Sequence, residues 1–250
     1  MKNLSLKQMH NNFSYKEYGE IINSIQEYLP IIDYNEVTDL TEKFCVIRHD
    51  VEFSVDRAHN LALYEQSLGI KTSFMFQIRN NCYNTFSDQN LAKIKSIASM
   101  GHKIGLHAHM DALKDINYIE DYVINDINIL SLFTGLNIDR FSFHRPKKEY
   151  LKLNLIINNI INTYEKKYFH FNEKLYNLNV TYLADSQHKW SYGHPLNLNI
   201  ESINKLQINS HPYSWTEKGL DNRQNFVTLL SEKNNELKKS INNECKNFPL

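Results

Sequence analysis

The chain has 250 residues, and its 28 Lys+Arg are balanced by 28 Asp+Glu, so no electrostatic footprint for nucleic acid exists. At this length a single α/β barrel fits, and burial approaches about three quarters of the unfolded surface, so neither a disulfide nor a metal is needed merely to fold. Cys45, Cys82 and Cys245 lie far apart with no CxxC pair, which argues against a thiolate zinc site and for a reducing cytosol; any metal would be held by His and carboxylate.

The opening "MKNLSLKQMHNNFSYKEYGE" has no apolar core of signal-peptide type, and no run approaches membrane-spanning length, so the expected location is cytoplasmic. Helical spacing over 15–30 predicts a helix stopped by Pro30. "KFCVIRH" is an apolar strand, and Ser54 can N-cap a helix that runs to Gly69. The pattern recurs: strand "KTSFMFQI", helix 87–101, strand "HKIGLHAH", a long helix closed by Gly135, strand "IDRFSF", and a helix over 148–164. A short apolar stretch "KYFHF", the strands "NVTYLAD" and "KLQINS", and a helix from about Leu220 to Asn243 that frays into "KNFPL" complete the chain. Strands alternating with helices imply βαβ units, and about seven of them suggest an α/β fold of the distorted (β/α) barrel type in one domain spanning 1–250. Within it, 1–43 is a helical lead-in, 44–215 carries the core motifs and 216–250 is the C-terminal helix.

In parallel α/β folds the ligand site lies at the carboxyl ends of the strands. Those ends carry Asp50 and Glu52, then His107, His109 and Asp111, then His144 and Arg145, then Asp185, and last His211. Along an extended chain Arg48, Asp50 and Glu52 share one side, and His49 and Val51 take the other. His107, His109 and Asp111 likewise share a side if the chain stays extended that far. Two adjacent carboxylates repel unless a cation sits between them, and imidazoles from another strand make a divalent metal the economical explanation. Singly, each residue has a plainer role: Asp50 can pair with Arg48 or cap a helix, a strand-end His can be packing, and Trp190 and Trp215 can be core or rim.

The ordered set "IRHDVE", "GHKIGLHAHMD", "FSFHRP", "LADSQHKW" and "INSHPYSW" resembles the five motifs of the polysaccharide deacetylase superfamily, the NodB-homology group of carbohydrate esterase family 4. It looks closest to the branch whose first motif reads Arg-His-Asp-Val-Asp. The resemblance implies a distorted barrel with one divalent metal, zinc or another first-row ion. It also implies metal-assisted hydrolysis of an N-acetyl or O-acetyl group on a sugar or glycan precursor. On that resemblance Asp50 is the general base, Glu52 the metal carboxylate, His107 a metal ligand and His211 the general acid. Arg145 would orient the base, and Asp185 would belong to the network around His211. The family's second metal histidine falls on Asp111, with His109 two residues before it, so the third ligand is either Asp111 or His109. A register with Asp50 on the metal and His49 near the base is a further alternative that needs the strand to twist. A cytosolic location would suit a nucleotide-linked or lipid-linked precursor. Two rivals stand beside this reading: a hydrolase of non-sugar C–N amide bonds, and a metal-free glycan-binding protein, which the Asp111 departure favours.

Overall fold

The computed structural model describes residues 12–169 and 180–245. Seven parallel strands form one sheet: β1 (Phe44–Val51), β2 (Ser73–Phe76), β3 (Lys103–His109), β4 (Arg140–His144), β5 (Ile161–Asn162), β6 (Val180–Ala184) and β7 (Lys205–Ser210). Their order is β5-β4-β3-β2-β1-β7-β6, so the first strand lies inside the sheet between β2 and β7, and the sheet is the distorted (β/α) barrel. Among the described residues the two edge strands, β5 and β6, do not pair with one another.

The helices are α1 (Tyr15–Gln26), α2 (Val55–Ser67), α3 (Asp88–Ser99), α4 (Ile119–Thr134), α5 (Lys148–Lys152) and α6 (Asn222–Glu244). Ser14, Ser54 and Ser87 cap the first three, each accepting a backbone N–H of the first turn through its hydroxyl. Gly135 ends α4 at φ 68°, a left-handed conformation that a side chain would strain. Apolar residues pack on the sheet in two clusters. Phe74, Leu106, Phe141 and Phe143 pack with α2 to α4, whereas Ile47, Ile208 and Trp215 pack with α1. No helix among the described residues is long and apolar enough to cross a membrane.

One predicted helix is much shorter than its spacing suggested. The run 148–164 is helical only through Lys152, and it then turns through Asn154 (φ 45°) and Asn159 (φ 61°) into β5. Asn tolerates left-handed backbone because its short amide can bond locally, so the Asn-rich run overrides the apolar period. The fifth strand is therefore Ile161–Asn162 rather than "KYFHF", of which Lys167–Phe169 form turn and coil while 170–171 lie outside the described residues. The expected fray at "KNFPL" lies outside them as well.

Candidate metal centre and active site

Strand β1 sets the site. Because side chains alternate along β1, Arg48 and Asp50 face the barrel interior, while His49 faces the opposite side and binds Glu65 of α2 at 2.9 Å. That placement removes the alternative in which His49 neighbours a base at the metal. The strand leads to Glu52 at its carboxyl end, where β3 contributes His107 and β4 contributes His144.

These three side chains converge. Glu52 Oε1 lies 3.9 Å from His107 Nε2 and 3.2 Å from His144 Nδ1, and the two ring nitrogens are 3.2 Å apart. Ligand bonds of about 2.0–2.1 Å in a tetrahedral set place neighbouring donor atoms about 3.3 Å apart, so the spacing fits one small divalent ion. Hydrogen bonding points the same way. The Ser142 hydroxyl lies 2.8 Å from Asp50 Oδ1 and 2.7 Å from His107 Nδ1. Ser142 has one proton; donated to the ionised Asp50, it leaves Oγ to accept from His107 Nδ1–H. The other ring nitrogen of His107, Nε2, faces Glu52 and His144. Burial alone would raise the Glu52 carboxyl, but the imidazoles of His107 and His144 outweigh it and hold the group well below the usual carboxylate range. One carboxylate and two imidazoles is a donor set that suits zinc and leaves a position open.

Asp111 and His109 do not join this group. The strand ends at His109 and turns at Met110–Ala112, so the chain is no longer extended at Asp111. The Asp111 side chain is 79% exposed and lies 3.7 Å from His109 Nε2. His109 instead stacks on the ring of His144, with centroids 5.0 Å apart. The third side chain beside Glu52 and His107 comes instead from β4, whose register puts Ser142 beside His107 and His144 beside His109. The alternation of "RFSFH", with Arg140, Ser142 and His144 on one side, was the available signal.

Asp50 lies next to the trio, 3.5 Å from His107 Nδ1. Burial would raise its pKa, but Arg48, His107, His211 and the Ser142 hydrogen bond together lower it to about 2, so it is an ionised proton acceptor at neutral pH. The orienting guanidinium is that of Arg48, not Arg145. Arg48 is fully buried, donates from Nε to Asp50 Oδ1 at 3.3 Å, and is itself held by the Tyr164 hydroxyl at 2.8 Å and by Gln207. Arg145 is exposed at φ 48° beyond the end of β4, on the wall of the cavity, and makes no hydrogen bond or ion pair to Asp50.

His211 follows β7 and Asp185 follows β6. Asp185 Oδ1 receives the His211 ring at 2.7 Å and the His211 backbone N–H at 2.8 Å, while its Oδ2 accepts from Trp215 Nε1 at 2.7 Å and from Ser210 at 3.1 Å. Trp215 is therefore a clamp on this carboxylate as well as core, a role its sequence position did not suggest. Burial would lower the His211 pKa, but Asp185, with Glu52 and Asp50 behind it, raises it to about 9, so the imidazole is protonated at neutral pH. Asp50, Glu52, His107 and His211 all line one cavity of about 1520 Å³, which also presents Tyr164, Tyr182 and Tyr213. One rim thus holds an ionised acceptor, a protonated donor and a converging set of metal-binding atoms.

No protein-family model and no curated protein sequence matches the chain. Among solved structures it is similar to the Xyl-CE4 domain of a multidomain xylanase from the hindgut metagenome of Trinervitermes trinervoides, at 14% identity and TM-score 0.40 over 80% of this chain and 84% of that one. It is similar to the chitin deacetylase of the fungal pathogen Colletotrichum lindemuthianum, at 13% identity and TM-score 0.40 over 78% and 84%. It is also similar to BA3943, a CE4 family pseudoenzyme of Bacillus anthracis, at 10% identity and TM-score 0.45 over 83% and 68%.

Proposed function

We propose that the protein is a metal-dependent hydrolase that removes an acetyl group from an N-acetylated or O-acetylated sugar or glycan precursor. The observation that carries this reading is the convergence of Glu52, His107 and His144 beside an ionised Asp50 and a protonated His211. When bound, a divalent ion supplies Lewis acidity toward the acetyl carbonyl and makes water easier to deprotonate. Asp50 takes the proton of the attacking water, and Arg48 keeps that carboxylate oriented and charged. His211 gives its proton to the departing amine or alkoxide, and Asp185 stabilises the imidazolium before transfer. Water adds across the acyl bond, so the products are acetate and the free amine or hydroxyl. The metal-free reading drew its support from Asp111, and His144 supplies the donor that Asp111 was missing.

Acetate release from N-acetylated sugars tests the proposal. Activity lost in chelator and restored by zinc or cobalt is expected. Cleavage of linear amides or cyclic ureides without any acetate released from sugars would overturn it.

A further inference from the structure

The cavity is electrically lopsided. Its carboxylates, Asp50 and Glu52, sit at the reacting end, whereas four cations line it elsewhere: Arg145, Lys148, Lys152 and Lys166. All four come from the stretch between the end of β4 and the turn after β5, and all are exposed to the cavity solvent. This stretch has two glutamates, and both are engaged by lysines that do not line the cavity: Glu149 pairs with Lys147 at 3.8 Å and Glu165 with Lys167 at 3.5 Å. Among the described residues none of the four cavity cations has an ion-pair partner. The chain as a whole carries no net formal charge, so this clustering does not reflect a basic composition.

Arg145 adds a second, independent sign. Arg48 already orients Asp50, so Arg145 is free of that task. Its backbone nevertheless adopts φ 48°, a left-handed conformation that costs a side-chain-bearing residue about 1–2 kcal/mol. Strain of that kind persists only where the surrounding structure holds it, and here the strained residue lines the cavity.

We infer that the substrate is an acetylated sugar carrying a phosphate or diphosphate, with the sugar over the tyrosine-lined floor and the anion against Arg145, Lys148, Lys152 and Lys166. This rests on the deacetylase reading and names its substrate class. A neutral acetylated oligosaccharide leaves four unpaired cations unused, and one uronate offers a single charge. A diphosphate bridge offers two charges in one place, and guanidinium and ammonium groups bind it through charge-assisted hydrogen bonds. About 1520 Å³ is more than one sugar ring fills, which leaves room for the linked group.

The test is binding to the full chain carrying Asp50→Asn, so that nothing is turned over, by calorimetry. The probes are N-acetylglucosamine, N,N′-diacetylchitobiose, UDP-N-acetylglucosamine and a farnesyl-diphosphate-linked N-acetylglucosamine. The diphosphate-bearing probes are expected to bind at least about tenfold more tightly than the neutral ones, with the advantage shrinking at high salt. Tighter binding of the UDP sugar assigns the diphosphate to a nucleotide, and tighter binding of the farnesyl compound assigns it to a lipid carrier. Lys148→Gln, Lys152→Gln and Lys166→Gln should each weaken diphosphate binding roughly threefold to fivefold and leave chitobiose unchanged, whereas Lys148→Arg should retain it. Equal affinity for neutral and diphosphate probes, or an advantage that survives removal of all three lysines and Arg145, overturns the inference. Acetate release by the unsubstituted chain from a neutral acetylated sugar is scored separately, so either claim can fail alone.

Discussion

The two faces of β1 carry the same ingredients and put them to different use. On one face His49, Glu65 and His102 cluster, and on the other Glu52, His107 and His144. In the first cluster the carboxylate is saturated, and only His49 Nδ1 lacks a hydrogen-bond partner. Glu65 accepts from His49 at 2.9 Å, from Thr72 at 2.7 Å and from Tyr18, and burial, which would raise its pKa, is outweighed by His49 so that it stays ionised. His102 donates from Nε2 to the Ala62 carbonyl at 3.2 Å and accepts the Thr72 backbone N–H at its Nδ1 at 3.1 Å, which leaves no lone pair for an ion. This cluster is sealed between sheet and helices, and its hydrogen bonds are structural. The second cluster faces the cavity, and Glu52 Oε1 lies 3.9 Å from His107 Nε2 and 3.2 Å from His144 Nδ1, with no helix among the described residues sealing it. Histidines beside a carboxylate are thus not evidence of a metal site; convergence of the donor atoms and access to the cavity separate the two faces.

That contrast can be broken in several ways. The largest effect is expected from Asp50→Asn on the open face, where acetate release should fall about a thousandfold while the bound metal stays, because a proton acceptor is lost and no ligand is. Loss of the metal along with activity would show that Asp50 is itself a ligand. On the sealed face, Glu65→Ala should cost about 3 kcal/mol in urea unfolding, since it strands His49 and Tyr18 in the interior. Activity per folded molecule should remain within about twofold, and a selective loss of turnover would erase the distinction between the faces.

A smaller, pH-dependent effect belongs to Asp185. The His211 pKa is raised, so its proton is present at neutral pH and is lost as pH rises through about 9; the basic limb of kcat/KM should fall there. The same sign holds for stability: the His211–Asp185 contribution is complete below the ordinary histidine value of about 6.5 and fades as pH rises through about 9. Asp185→Asn should move the basic limb toward lower pH and reduce turnover at pH 8 roughly tenfold. An unmoved limb would assign the acid to another group. The smallest effect is expected from Asp111→Ala, which should leave metal content unchanged and turnover within about twofold, because the side chain is 79% exposed and outside the ligand group.

What could be read from the chain follows strand periodicity. Asp50 and Glu52 fall at the end of an unbroken strand, and His107 lies within one, so alternation alone places all three on the cavity side. The same rule misled at Asp111, where extension had already ended in the turn at Met110–Ala112. Arg48 beside Asp50 reads from sequence as a plain pair, and the buried bonds to Tyr164 and Gln207 that fix its guanidinium against Asp50 come from other strands and turns. Pairing between strands is set by tertiary register, and no single segment contains it. His144 reaches the site because β4 lies beside β3 with Ser142 opposite His107. The Asn-rich break after Lys152 was visible in composition, yet a helical apolar period there masked it.

The most direct measurement is metal content in three proteins purified without chelator: the unsubstituted chain, His144→Ala and Asp111→Ala. One equivalent of a divalent ion in the first and third, and little in the second, is the predicted result. Retention by His144→Ala with loss from Asp111→Ala would contradict a centre built from Glu52, His107 and His144.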